Sequence, residues 1–232
     1  MNTTGNTAKD YCLHHVAALA RVDPELVVVD LGCGDGLNVE PLLQEHPSIH
    51  YVGIDPSERA ITAGRERLAA YDAELQVGRA YDVQLADADV VLSFSVLEHV
   101  VDRAPYVRSI ARNLKRDGVA LVNYDAGHFN VGSERWKAPL RRLLARVGAD
   151  ARYQAPVRED EFKLLADAAG LRIAEARSFN THLKELYKLV PDRQAFAEVW
   201  LRLELELSDA VEYRDEYAPF LRTRNVILRR AS

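Results

Sequence analysis

Three groups of residues in this 232-residue sequence have types and spacing suited to chemistry. The run Asp30-Leu31-Gly32-Cys33-Gly34-Asp35-Gly36 sets glycines at alternate positions, where a turn can take unusual dihedrals and a ligand can approach the backbone without a Cβ in the way. Asp55, 23 residues after Gly32, offers a carboxylate able to accept hydrogen bonds from two vicinal hydroxyls. His99 and His128 carry imidazoles that can exchange a proton near neutral pH. A dinucleotide fingerprint would require glycine at position 37, where this chain has Leu37, so the pattern is G-x-G-x-G.

The elements that must position these groups are short, β-branched apolar runs. Leu26 to Leu31, Tyr51 to Ile54, Asp89 to Leu92 and Val119 to Val122 read as strands buried on both faces, with a weaker strand at Glu74 to Val77. Helical stretches lie between them at Val39 to Glu45, Glu58 to Tyr71 and Ala104 to Lys115, and a helix bearing Cys12, Val16 and Leu19 precedes the first strand. Further on, Phe162 to Ala169 reads as a helix ended by Gly170, and Leu171 to Phe179 and Val226 to Arg230 read as two late strands. A long helix over Gln194 to Tyr213 separates those strands, because Leu, Glu and Arg favour helix and no β-branched residue interrupts 200–210. Its leucines on two faces suit a lid or a homodimer contact.

Alternating strand and helix implies an α/β fold: a Rossmann-like, doubly wound, seven-stranded and mostly parallel sheet, helices on both faces, and a helical insertion near the C-terminus. One domain over 1–232 is expected, with an N-terminal helix in 1–25, a core in 26–125 and later elements in 126–232. Ligands of such sheets bind beyond the C-terminal strand ends, near the point where strand order reverses. The glycine loop after the first strand and Asp55 after the second both fall there, and together they point to an adenosine-bearing cofactor.

Composition removes other classes. Thirty-five acidic against thirty basic residues gives a net charge of −5, which disfavours binding to nucleic acid through phosphates. No apolar run approaches the ~18 residues that would span a bilayer, so no membrane partner is expected. No secretory signal is visible at the start, and with only two cysteines, Cys12 and Cys33, a reducing cytoplasm is the expected compartment. Cys33 reads as a small apolar residue of the loop; adjacent His14 and His15 cannot face one way, and no metal site is expected.

Three stretches together, Val28 to Gly36, Val52 to Ser57 and Asp89 to Val100 with its Leu97-Glu98-His99-Val100, resemble the successive motifs of class I S-adenosylmethionine-dependent methyltransferases. The small-molecule group that includes quinone-biosynthesis methyltransferases is the most similar. The resemblance implies that Asp30 holds the cofactor's amino group and that Gly32, Cys33, Gly34, Asp35 and Gly36 line its methionine part. It further implies that Asp55 takes the ribose hydroxyls, that Arg79, Ala80 and Tyr81 border the adenine, and that Ser93 and Phe94 lie near the sulfonium. Relatives often carry Asp or Asn where this chain has Arg79, leaving adenine recognition to backbone groups or Asp82. A Pro-Gly-Gly turn of relatives is replaced by Arg116-Asp117-Gly118.

Methyl transfer from a sulfonium is an in-line displacement in which alignment matters most, and a base is needed only if the nucleophile must lose a proton. His99 is the base or a packing residue of the following helix; His128 is the second candidate, and His182 a weaker one. Tyr11 either closes over the cofactor or sits half-buried in the core. The segment from Glu134 to Arg158 holds seven Lys or Arg against two acids, so this stretch is +5 and the remainder −10. It is a solvated face or a binding surface for an anionic acceptor. The expected function is transfer of methyl to O, N or C of a small metabolite. The alternatives are a non-catalytic S-adenosylmethionine-binding scaffold or partner subunit and a nicotinamide-dependent oxidoreductase, the latter disfavoured by Leu37.

Overall fold

The computed structural model describes residues 2–81, 87–126, 153–180 and 183–231. Seven strands form one sheet: β1 (Val27–Leu31), β2 (His50–Asp55), β3 (Ala73–Val77), β4 (Ala88–Phe94), β5 (Leu114–Asp125), β6 (Leu171–Phe179) and β7 (Thr223–Arg230). Their order is β3-β2-β1-β4-β5-β7-β6, with β7 antiparallel to both of its neighbours and the first five strands parallel. From β1 the chain runs outward to β2 and β3, then returns to lay β4 on the other side of β1. That reversal opens the crevice beyond β1 and β4, where the glycine loop and Asp55 emerge.

The sheet is sandwiched, and strand alternation decides which residue faces which layer. Val28, Leu92, Leu121 and Ile227 pack against Leu13 and Val16 of α1 (Thr7–Ala20), Leu42 and Leu43 of α2 (Glu40–Glu45) and Ile61 of α3 (Glu58–Arg67). Their neighbours Val29, Val91, Val122 and Val226 face the other way, onto Tyr106 and Ile110 of α4 (Arg103–Asn113) and Phe162 and Ala166 of α5 (Glu159–Ala168). The doubly wound sheet expected from the sequence is therefore present, with all seven strands.

Three local differences have physical reasons. The Arg116-Asp117-Gly118 turn lies within β5, where the register jumps from Ala88 opposite Leu114 to Val90 opposite Val119. The polar start is tethered: buried Asp10 accepts hydrogen bonds from the Thr3 hydroxyl (2.5 Å) and the Thr4 amide (2.7 Å), and Asn6 caps α1 by accepting from the Ala8 and Lys9 amides. The late insertion comprises α6 (Lys184–Leu189) and α7 (Arg193–Ala210), where α7 buries Ala197, Trp200 and Glu204 on one face and leaves Val199, Leu203 and Leu207 exposed on another. No helix among the described residues is long and apolar enough to cross a membrane.

Candidate active site

The glycine loop is drawn across the end of β2. The Gly32 and Cys33 amides both donate to the Ile54 carbonyl, at 2.8 and 3.1 Å, which bends the chain as it leaves β1. Gly32, at φ +94°, lies so near β4's exit that a Cβ there would meet the Val96 side chain at 2.4 Å. Gly34, at φ +57°, is the opposite case: a Cβ would meet nothing within 4 Å, so its bare backbone borders open space. The Gly34 amide donates to Asp55 Oδ2 at 3.0 Å, and the Ser57 amide donates to Oδ1 at 2.9 Å. Loop and carboxylate are thus locked together, with each Asp55 oxygen retaining acceptor capacity for a further donor.

The two other side chains of the loop point elsewhere. Cys33 is buried beneath it, in space that Gly53 leaves free, and burial pushes its thiol pKa up, so it is a packing residue. Asp35 accepts from the Leu37 amide (3.3 Å) and pairs with Arg67 at 3.2 Å, pinning the loop to α3.

Asp30, near the end of β1, is 4% exposed. Its Oδ2 accepts from the Tyr51 hydroxyl at 2.9 Å, while its Oδ1 is buried without a hydrogen-bond partner. Burial pushes the carboxyl up to about 6 and the nearby Asp55 charge adds to this, against the Tyr51 hydrogen bond and the Lys9 ammonium. Lys9 enters from α1; its Nζ donates to Asn38 Oδ1 at 3.3 Å, and desolvation lowers its pKa although Asp30 and Glu98 oppose this. Glu98 is 3% exposed with Oε2 unpartnered, and burial raises its pKa. Two buried carboxylates with an orphaned oxygen each suit a cationic, hydrogen-bond-donating ligand group.

A cavity of about 490 Å³ adjoins the loop, with Gly32, Ile54, Ala80, Tyr81, Val96 and His99 among its lining residues. Arg79 also lines it, exposed, its Nη1 reaching the Tyr81 hydroxyl at 3.4 Å. Ala80 is fixed from behind by the Ser109 hydroxyl, which donates to its carbonyl at 2.9 Å. His99 Nδ1 lies 3.1 Å from the Tyr153 carbonyl. Only a protonated Nδ1 can make that bond, so the neutral ring keeps Nε2 as an acceptor.

The structure thus sets Gly32, Arg79, Ala80, Tyr81 and His99 around one cavity, with Asp55 bonded to the Gly34 amide of the same loop and Asp30 buried at the end of β1, while Cys33 and Asp35 are turned to packing and to α3. It sets Ser93 and Phe94 in the core: the Ser93 hydroxyl is 2.6 Å from that of Tyr106, which donates to the Leu31 carbonyl at 2.8 Å, and Phe94 packs in the layer with α1. Tyr11 is half-buried, bonded through its hydroxyl to Glu175, with its ring tilted 45° against that of Phe179 at a centroid distance of 5.7 Å. His128, Asp82 and His182 lie outside the described residues, as does most of the basic segment. The sequence reading gave no site role to Lys9 or Glu98. Position 9 shares the inward face of α1 with Cys12, Leu13 and Val16, and a lysine on such a face was the available signal.

Comparison with known proteins follows the same lines. Residues 29–120 match the model of a methyltransferase domain. Over 130 residues the chain is 36% identical to a ubiquinone biosynthesis O-methyltransferase of Bradyrhizobium diazoefficiens, covering 54% of this chain and 46% of that one. Over 141 residues it is 30% identical to a trans-aconitate 2-methyltransferase of Variovorax paradoxus, covering 60% and 51%. The chain thus spans about half the length of these curated relatives. Among solved structures, a putative sarcosine dimethylglycine methyltransferase from Galdieria sulphuraria superposes with a TM-score of 0.64 at 16% identity, covering 96% of this chain and 85% of that one. At that identity the likeness speaks for the fold.

Proposed function

We propose, from the premise that residues 29–120 are a methyltransferase domain, that this chain is an S-adenosylmethionine-dependent methyltransferase acting at O, N or C of a small metabolite. One observation carries the reading. The Gly34 amide is bonded to Asp55 beside open space, while the orphaned Asp30 Oδ1 waits at the other end of the same loop. Those two ends match the two polar ends of the cofactor, ribose hydroxyls and an amino-acid ammonium.

When bound, S-adenosylmethionine supplies a methyl carbon activated by its sulfonium. The chain's residues then bind and align. Asp55, already oriented by two amides, accepts from the ribose hydroxyls without reorganising. Asp30, ionised above about pH 6, holds the ammonium through its unpartnered Oδ1. Ala80, Tyr81 and Arg79 border the adenine. His99, with Nδ1 bonded to the Tyr153 carbonyl, offers Nε2 to take a proton from the acceptor; His128 is the second candidate base. Ser93 supports the site from beneath through Tyr106.

An anionic acceptor belongs to this reading as well, supported by the basic composition of 134–158. Within the described part of that segment Arg158 is engaged with Asp160 and Asp215; the segment's other basic residues lie outside the described residues. The two cysteines are buried and unlinked, in keeping with a cytoplasmic setting, and the exposed Val199–Leu203–Leu207 stripe of α7 suits a homodimer contact. A single domain over the whole chain completes the proposal. Incubation with methyl-labelled S-adenosylmethionine and a panel of phenols, hydroxy acids and amines tests it: label should reach at least one acceptor. Binding of the cofactor without transfer to any would favour a scaffold role.

A further inference from the structure

Ser95 is a non-glycine residue held at φ +58°, in the left-handed region, directly after β4 and before the cavity-lining Val96. Such a conformation is costly outside glycine and persists where the surroundings impose it. Here the Ser95 amide donates to the Asn123 carbonyl at 2.8 Å and its hydroxyl lies 3.2 Å from Asn123 Oδ1. Phe94 just before it is buried, but Ser95 is exposed at the strand's end.

The direction of this last hydrogen bond can be deduced from the far end of a chain of amides. The Ala8 carbonyl in α1 can only accept, so the Asn225 group facing it at 2.6 Å is the donating Nδ2. Asn225 then presents Oδ1 on its other side, and the group of Asn123 that meets it at 2.6 Å must be Nδ2. Asn123 is left with Oδ1 toward Ser95, so the Ser95 hydroxyl is the donor. Both asparagines are almost fully buried, at 1% and 2% exposure, so neither can turn to water for a substitute partner. If the Ser95 proton swung away, it would strand a buried carbonyl oxygen.

We propose that Ser95 orients the methyl acceptor as an obligate hydrogen-bond acceptor: its proton committed to Asn123, the exposed hydroxyl has only lone pairs left for a group bound beyond the end of β4, next to the cavity-lining Val96, and so selects a substrate O–H or N–H. This rests on the methyltransferase reading and adds a specificity to it. Ser95 does not take the proton; it fixes where the proton-bearing group lies, and so where that group's own lone pair points. A product whose hydroxyl has become a methyl ether can no longer donate, so the same contact discriminates substrate from product.

The test uses the whole chain saturated with S-adenosylhomocysteine and two matched pairs of probes. Catechol and malate carry donors; veratrole and methoxysuccinate are their donor-free counterparts. By ligand-observed NMR, wild type should bind the donor of at least one pair about tenfold more tightly, the worth of one net hydrogen bond. Ser95→Ala should bind both members of that pair alike, with its calorimetric affinity for S-adenosylhomocysteine unchanged. Ser95→Gly, which relieves the left-handed strain and keeps the fold, should lose the preference in the same way. Equal binding of both members of each pair by wild type, or a preference that survives in both variants, would overturn the proposal. Weakened S-adenosylhomocysteine binding in both variants would overturn it too, by making Ser95 a cofactor contact. Failure of wild type itself to bind S-adenosylhomocysteine would instead count against the methyltransferase reading.

Discussion

Replacing Asp30 by Asn should make the ligand-free protein more stable and nearly abolish its response to cofactor. A carboxyl that titrates near 6 instead of its ordinary 3.8 costs about 3 kcal/mol to keep ionised at pH 7. The asparagine oxygen can still accept from the Tyr51 hydroxyl, but its amide group is buried where Oδ1 has no partner, which costs about 1–2 kcal/mol. A net gain of about 1–2 kcal/mol at pH 7 follows from these opposing terms. The pH dependence fixes the cause. Between 3.8 and about 6 the native state binds the extra proton, so wild-type stability falls as pH rises through that window and levels off above it. The advantage of Asp30→Asn should therefore grow from pH 4 to pH 6 and stay constant beyond. Urea denaturation across that range measures it. Adding S-adenosylhomocysteine at a hundred times its dissociation constant for wild type should stabilise wild type by about 2.7 kcal/mol and the variant by less than about 1. A variant no more stable than wild type at pH 7, or one that keeps the full ligand response, would refute the assignment of a strained, ligand-directed carboxylate.

Two further substitutions probe other parts of the site. His99→Ala should lower turnover by about 10²–10⁴-fold with cofactor affinity unchanged, read from initial rates and calorimetry; full turnover would remove His99 as the base. Gly34→Ala must take φ +57°, which costs about 1 kcal/mol in a melting experiment, and its methyl would project into the space beside Asp55. Cofactor affinity should fall by at least about tenfold, whereas a change in melting without one would mean that the open face of Gly34 is not where the ligand lies.

The parts legible in the sequence are those set by local pattern. The buried strands, the G-x-G-x-G loop and Asp55 all lie within one βαβ unit, so spacing alone places them at the same edge, and the Gly34–Asp55 bond realises it. What escaped depends on distant segments meeting. Lys9 joins Asp30 only because α1 docks across the sheet, with the Asn225 side chain bonded to Ala8 just before it. Ser95 acquires its orientation from Asn123 and Asn225, one of them 130 residues away in a strand of opposite direction. At the end of β4 the strand runs through Phe94, so Ser93 and Phe94 fall within the packed sheet and Ser95 is the first residue beyond it. Likewise Arg116 to Gly118, whose composition reads as a turn, is absorbed into β5 as a jump in register.

The central claim is that the loop and Asp55 form a site for S-adenosylmethionine, and titration calorimetry tests it most directly. Wild type should bind S-adenosylmethionine and S-adenosylhomocysteine, and Asp55→Ala, which removes the carboxylate that Gly34 and Ser57 hold in place, should bind neither detectably. Unchanged affinity in Asp55→Ala, or a wild type that binds NADH and neither sulfur compound, would contradict the account.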